Sequence, residues 1–219
     1  MKFTKQQIKE AMKLYAVTDQ MWLKEGETLV SVCGDVLKAG ATFLQIREKD
    51  LNPEVFAQEA DELQALCRAA AVPFVVNDSV EIALAIDADG VHVGQSDIQG
   101  RDIRSMLGPD KILGISAGTV EQAQAAQAAG ADYIGVGAVF TTSTKANARN
   151  LTGNALQEIT NSVSIPVVAI GGINGKNLHQ LSGSGVDGVA VVSAIFAADD
   201  VGEATAALRA QVEEMLCHG

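Results

Sequence analysis

Two cations and two carboxylates are the first residues of this chain whose spacing suggests chemistry. In Phe43-Leu44-Gln45-Ile46-Arg47-Glu48-Lys49, an extended backbone turns Gln45, Arg47 and Lys49 to one face and Leu44 and Ile46 to the other, because strand side chains alternate with a period of two. Arg47 and Lys49 at a strand end make an anion clamp, with the guanidinium supplying a bidentate fork. A rim salt bridge to Glu48 or Asp50 is the plainer alternative. Two further segments end in carboxylates, Val76-Asn77-Asp78 and Val91-His92-Val93-Gly94-Gln95-Ser96-Asp97. If they are neighbouring strands, about 4.8 Å apart, Asp78 and Asp97 approach a common point. Two carboxylates that leave positions open for phosphate oxygens are a usual way to hold Mg²⁺. Asp78 also reads as a helix N-cap before Ser79-Val80-Glu81. His92, between two valines, reads as a hydrogen-bonded core residue and not as a base.

Later segments add hydroxyls and glycines. Gly114-Ile115-Ser116 ends one apolar run, and Thr142-Ser143-Thr144-Lys145 follows another. That hydroxyl-rich loop with its ammonium suits a phosphate or heterocycle, although on this segment alone a bland polar loop is the better explanation. Ala169-Ile170-Gly171-Gly172-Ile173 ends in paired glycines, which let backbone N–H groups approach an anion, and Val192-Ser193-Ala194-Ile195 brings a small hydroxyl. The string Gly183-Ser184-Gly185-Val186-Asp187-Gly188 matches a dinucleotide-binding pattern but precedes a strand instead of following one, so that reading fails.

The elements that must position these groups announce themselves by a repeated junction. A helix-like stretch ends in a small-residue step and a β-branched run follows: Gly40-Ala41-Thr42, Asp87-Ala88-Asp89-Gly90, Gly130-Ala131-Asp132 and Gly185-Val186-Asp187. Adding the other apolar runs predicts eight strands, at 14–18, 42–47, 74–78, 90–94, 112–117, 133–140, 166–172 and 188–195. Helices fall between most of them. Asn52-Pro53-Glu54 is an N-terminus with Asn as cap and Pro at the first helical position, and the Ala- and Gln-rich stretch from Glu121 to Ala129 closes at Gly130. Strands alternating with helices imply a parallel sheet. Eight units in 219 residues is about 27 residues each, near the lower limit of a (β/α)₈ TIM barrel. The segment after the first strand, Asp19-Gln20-Met21-Trp22, lacks the glycines of a doubly wound nucleotide fold. The expectation is a single α/β domain over 1–219, with a phosphate site at the ends of strands seven and eight.

Composition excludes other classes. Lys and Arg number 16 against 27 Asp and Glu, a net charge of −11, so a nucleic-acid partner is not expected. The longest uncharged stretch, Ile159 to Gly175, is broken by polar residues, Pro166 and a glycine pair, and spans no membrane. The opening MKFTKQQIKEAMK has no apolar signal core, which makes a cytoplasmic protein the expectation. Cys33, Cys67 and Cys217 are odd in number and form no C-x-x-C pair, which argues against a disulfide framework. An acidic chain repels anions, so any anion site must be a local exception.

In order along the chain, Gln45-Ile46-Arg47-Glu48-Lys49, Val76-Asn77-Asp78, Gly90-Val91-His92-Val93-Gly94-Gln95-Ser96-Asp97, Gly114-Ile115-Ser116, Thr142-Ser143-Thr144-Lys145, Ala169-Ile170-Gly171-Gly172-Ile173 and Val192-Ser193-Ala194-Ile195 resemble the thiamine-phosphate synthase family. The resemblance covers nearly the whole chain. It implies a transferase that displaces pyrophosphate from an aminopyrimidine methyl diphosphate by the ring nitrogen of a thiazole phosphate, giving thiamine phosphate. It also implies roles. Asp78 and Asp97 would hold one Mg²⁺ per subunit on the diphosphate, and Arg47, Lys49, Asn77 and Lys145 would neutralise and position it. Gln45 and Ser116 would lie on the pyrimidine side, with Ile46 and Glu48 in the same substrate-binding stretch. Thr142 and Thr144 would line the thiazole side, with Ser143 in the same substrate-binding stretch and Gly172, Val192 and Ser193 gripping the thiazole phosphate. Arg47, Lys49, Ser116 and Lys145 would be the catalytic set. The partners are two phosphorylated small molecules, and a homodimer stays open.

The chain departs from the family pattern at three places. Ala138 and Thr141 stand where Pro is common, and Ser96 stands where an acidic residue is frequent. Two rivals remain. A thiazole tautomerase on a similar barrel would need neither the clamp nor the metal pair, so Arg47, Lys49, Asp78, Asp97 and Lys145 together favour the transferase. A non-catalytic phosphate-binding barrel would bind without forming product.

Overall fold

The computed structural model describes residues 3–48, 52–141, 151 and 154–217. Eight strands run parallel and close on themselves in chain order: β1 Leu14–Val17, β2 Phe43–Ile46, β3 Phe74–Asn77, β4 Gly90–Val93, β5 Ile112–Ala117, β6 Tyr133–Gly137, β7 Val167–Ile170 and β8 Gly188–Val191. The described helices are α1 Lys5–Ala11, α2 Leu29–Lys38, α3 Pro53–Ala70, α4 Val80–Ala85, α5 Ile103–Leu107, α6 Val120–Ala128, α7 Ala155–Asn161, α8 Ser193–Phe196 and α9 Val201–Cys217. None of them is long and apolar enough to cross a membrane. The expected barrel is present, and the helix starts are where the side chains place them. Asn52 caps α3 by accepting the Glu54 N–H at 2.8 Å, with Pro53 as its first residue.

The repeated junction has a structural purpose. Its four copies precede β2, β4, β6 and β8, and each supplies a side-chain acceptor to the strand before. Thr42 Oγ1 accepts the N–H of Leu14 at 2.9 Å, Asp89 that of Phe74 at 3.0 Å, Asp132 that of Leu113 at 2.8 Å, and Asp187 that of Val167 at 2.8 Å. Each bond satisfies a backbone donor where an odd-numbered strand enters the barrel, a group that would otherwise be left unpaired at the buried floor. The repeat is therefore a two-strand unit used four times.

Alternation divides the core in two. Outward residues such as Leu44, Ile46, Val76, Val91, Leu113 and Ile134 pack beneath the helices. Inward residues Tyr15, Val17, Phe43, Val75, Tyr133, Val168 and Ala190 fill the barrel, closed from below by Ile8, Ala11 and Met12 at α1. Three sequence expectations overran by two residues or more. β6 stops at Gly137 and not at 140, β7 at Ile170 and not at 172, and β8 at Val191 and not at 195. Gly171 and Gly172 take φ of +101° and +67°, which no strand can continue, and Ser193 already begins α8.

Candidate active site

The C-terminal ends of β2 to β5 carry the polar groups that the interior excludes. Thr18, immediately after β1 and fully buried, organises the first of them: its Oγ1 accepts the Arg47 N–H at 3.0 Å and donates to Glu48 at 2.7 Å. The other Glu48 oxygen accepts the Gln20 N–H at 3.1 Å. Glu48 thus holds the turn after β1, and burial, followed by the nearby acids Asp19 and Glu59, raises its pKa. Ile46 is fully buried in the outer core, so its side chain faces away from the barrel interior. Alternation gives Ile46 this outward face, while the resemblance includes both residues in a substrate-binding stretch. Arg47 is half-buried at the rim, close enough to Asp78 to draw its pKa down.

Asp78 and Asp97 do meet. β3 and β4 are neighbours in register Asn77↔His92, and the two carboxyls come within hydrogen-bonding reach of each other. Asp78 is not the helix cap. Ser79 performs that task, accepting the Ile82 N–H at 3.2 Å, and Asp78 sits before it at φ +62°. A positive φ is uncommon for a non-glycine residue, which marks this position as a special one. Asn77 Nδ2 donates to Asp78 at 2.7 Å, and the Gly94 N–H donates to Asp97 Oδ2 at 2.9 Å. Burial and then the Asp97 charge raise the pKa of Asp78, against the lowering effect of Asn77 and Arg47. A pair of facing carboxylates is unfavourable until a proton or a cation joins them. The donors are all oxygen, and among the described residues no cluster of three or more His, Cys, Asp and Glu exists. That set fits Mg²⁺, which takes one or two carboxylates and fills its remaining positions with water and phosphate oxygens.

Gln45 and Ser116 are joined through the barrel interior. Gln45 Nε2 donates to Tyr15 Oη at 2.9 Å, Tyr15 Oη lies 2.8 Å from Tyr133 Oη, His92 Nδ1 lies 3.0 Å from Tyr133 Oη, and His92 Nε2 lies 3.0 Å from Ser116 Oγ. His92 is therefore hydrogen-bonded, as expected, but its partners were not anticipated. Tyr15 and Tyr133 are the chain's two tyrosines. The signal that could have located this chain is glycine. A Cβ at Gly114 would lie 2.6 Å from His92 Nδ1, and one at Gly135 would lie 3.1 Å from His92 Cε1. Gln95, also unforeseen, donates to the Ser116 carbonyl at 2.6 Å.

On the far side of the mouth, the glycine pair has a packing task. A Cβ at Gly172 would lie 2.4 Å from the Thr141 carbonyl oxygen, so the loop after β6 crosses directly over it. Ser193 is exposed as the first residue of α8, after Val192, which makes no side-chain cap. Lys49, Thr142, Ser143, Thr144 and Lys145 lie outside the described residues. A groove of about 380 Å³ between Lys9, Lys13, Leu181 and Asp187 lies at the opposite end of the barrel and contains none of these groups.

The sequence profile of the family described as thiamine monophosphate synthase matches residues 14–195. The thiamine-phosphate synthase of Ruminiclostridium cellulolyticum is 48% identical over 188 residues, 86% of this chain and 89% of that protein. That of Clostridioides difficile is 45% identical over 197 residues, covering 90% and 93%. The structure of a thiamine phosphate pyrophosphorylase from Pyrococcus furiosus superposes with a TM-score of 0.87 at 40% identity, covering 95% of this chain and 99% of that one.

Proposed function

Because the chain belongs to the thiamine-phosphate synthase family, transferases of thiamine biosynthesis, we propose that it joins an aminopyrimidine methyl diphosphate to a thiazole phosphate, releasing pyrophosphate. The observation that carries this reading is the meeting of Asp78 with Asp97 beside Arg47 at the strand ends. Few other tasks justify bringing two carboxylates together next to a guanidinium.

In this reading the diphosphate sits over β2 to β4. Arg47 forks onto its oxygens, Asn77 holds Asp78 in place, and Lys49 and Lys145 add charge. Asp78 and Asp97 would hold the Mg²⁺, which when bound neutralises the diphosphate and so eases its departure. As the methylene C–O bond breaks, negative charge grows on the leaving group and positive charge on the pyrimidine methylene. The cationic side chains answer the first, and the aminopyrimidine delocalises the second. The thiazole nitrogen then forms the new C–N bond. Ser116 and Gln45 sit on the pyrimidine side, Thr142, Ser143 and Thr144 on the thiazole side, and Gly172, Val192 and Ser193 at its phosphate. No protein nucleophile is needed. Of the acids behind the net charge of −11, most are exposed on the outside of the molecule; two carboxylates, once metal-bound, would attract the substrate that the rest repel.

The test is direct. Purified protein with both phosphorylated halves and Mg²⁺ is expected to yield thiamine phosphate and pyrophosphate. Absence of product at every Mg²⁺ concentration refutes the proposal.

A further inference from the structure

The hydrogen bonds that join Gln45 to Ser116 can be ordered by donor and acceptor. Gln45 Nε2 can only donate, so it occupies a lone pair of Tyr15 Oη. Tyr15 and Tyr133 are 1% and 0% exposed, so no solvent is at hand to take a stray hydroxyl hydrogen. Burial raises the pKa of both phenols and keeps them protonated. Tyr15 therefore donates to Tyr133 Oη at 2.8 Å, and Tyr133 donates to His92 Nδ1 at 3.0 Å. A ring nitrogen that accepts carries no hydrogen, so the imidazole hydrogen is on Nε2, and it points at Ser116 Oγ, 3.0 Å away. An imidazolium, or the other tautomer, would send a hydrogen into Tyr133 and leave two donors facing each other in the interior.

We propose that this chain runs in one direction, from the Gln45 amide to Ser116, and that His92 is a positioning residue. Held as the neutral Nε2–H tautomer, His92 donates to Ser116 and leaves the serine hydroxyl hydrogen to be given to an acceptor atom of the bound pyrimidine diphosphate. The register supports this. Gly114 is paired with His92 on one side and Tyr133 on the other, so the missing side chain on β5 is what lets β4 and β6 touch. The substrate half of the inference rests on the function proposed above; the tautomer half does not.

The tautomer is read directly. Two-bond ¹H–¹⁵N spectra of the full chain, with the His92 signals identified by their absence in His92→Gln, are expected to show hydrogen on Nε2 alone. Hydrogen on Nδ1, or on both nitrogens, overturns the proposal. In Tyr133→Phe both neutral tautomers are expected, and an unchanged Nε2–H signal overturns the directional chain. In turnover, Tyr133→Phe is expected to lower kcat by about tenfold with little change in KM, and adding Ser116→Ala to cost little more than Ser116→Ala alone. Independent, additive losses overturn the positioning role. Should Tyr133→Phe fold poorly, His92→Gln restores a side-chain donor. It is expected to stay within about threefold of wild type, while His92→Ala loses about tenfold; equal losses in the two variants overturn the role. If the wild-type protein turns over no pyrimidine diphosphate, the substrate half falls with the proposed function, while the spectra decide the tautomer.

Discussion

A Cβ placed on Gly114 would lie 2.2 Å from Cζ of Tyr133. Tyr133 is fully buried and packs edge-on to Phe43 and Tyr15, at centroid separations of 5.6 and 5.9 Å, so it has nowhere to retreat. Gly114→Ala is therefore an overpacking change, expected to destabilise the protein by about 1–3 kcal/mol and to break the Tyr133–His92 contact. Gly135→Ala meets His92 at 3.1 Å and should be milder. Urea unfolding of both variants checks the order. Equal stabilities would mean that the interior yields more than its packing suggests.

At neutral pH the facing carboxyls cost stability. Asp78 has its pKa raised by burial and by Asp97. A group raised in the folded state stabilises below its unfolded pKa, and that contribution is lost as pH rises through the folded value. At neutral pH without metal, Asp97→Asn removes one cause of the rise while keeping an acceptor for the Gly94 N–H. The variant is expected to be more stable than wild type by about 0.5 kcal/mol, a small figure because the rim is solvent-screened. The gain should shrink as pH falls and Asp78, whose pKa is raised, takes up its proton. Added Mg²⁺ should raise the melting temperature of the wild type and not of the variant, and the variant should lose turnover.

Arg47 is held by its own backbone, through the Thr18 hydroxyl, as well as by its charge. Arg47→Ala is expected to reduce kcat/KM by about 2–4 kcal/mol of transition-state stabilisation with little effect on folding. Arg47→Lys should recover part of it, since an ammonium carries the charge without the fork. Steady-state kinetics with varied pyrimidine diphosphate separates the cases, and wild-type rates in Arg47→Ala would place the clamp elsewhere.

The barrel was legible because its repeat is written locally. Thr42, Asp89, Asp132 and Asp187 each stand one residue before a strand, so the two-strand unit shows in the sequence as a recurring small-residue step. Strand ends were less legible. Val139, Phe140 and Ala194 pack against the outer core and Ile195 lies within it, so the apolar run outlives the strand. Gln45, Arg47, Asp78, Asp97 and Ser116 were readable as polar groups at strand ends, where a core would have none. Their supports were not. Tyr15 and Tyr133 are 118 positions apart, and alternation tells which face a side chain takes but not which partner it meets there. Glu48 shows the same limit: the sequence offered it as a rim salt-bridge partner, and its oxygens serve Thr18 and Gln20.

Arg104 tests whether the floor of the barrel is separable from the mouth. Its guanidinium donates to the carbonyls of Gly108 and Lys111, both at 2.8 Å, to that of Gly130 at 2.9 Å, and to Asp132 at 2.6 Å. Asp132 in turn accepts the Leu113 N–H at the start of β5. Replacing Arg104 with Met keeps the apolar stem but leaves three carbonyls and a partly buried carboxylate without their donor. The expected loss is about 2–3 kcal/mol, more than a surface ion pair provides. Arg104→Lys should lose most of it too, because an ammonium cannot span the four acceptors. These atoms lie where β5 and β6 begin, at the end of the barrel opposite the strand ends that lead to Arg47, Asp78 and Asp97. Below its lowered melting temperature, Arg104→Met should therefore keep kcat and KM close to wild type. A fall in kcat at temperatures where the variant is fully folded would show instead that the floor and the mouth are coupled through β5.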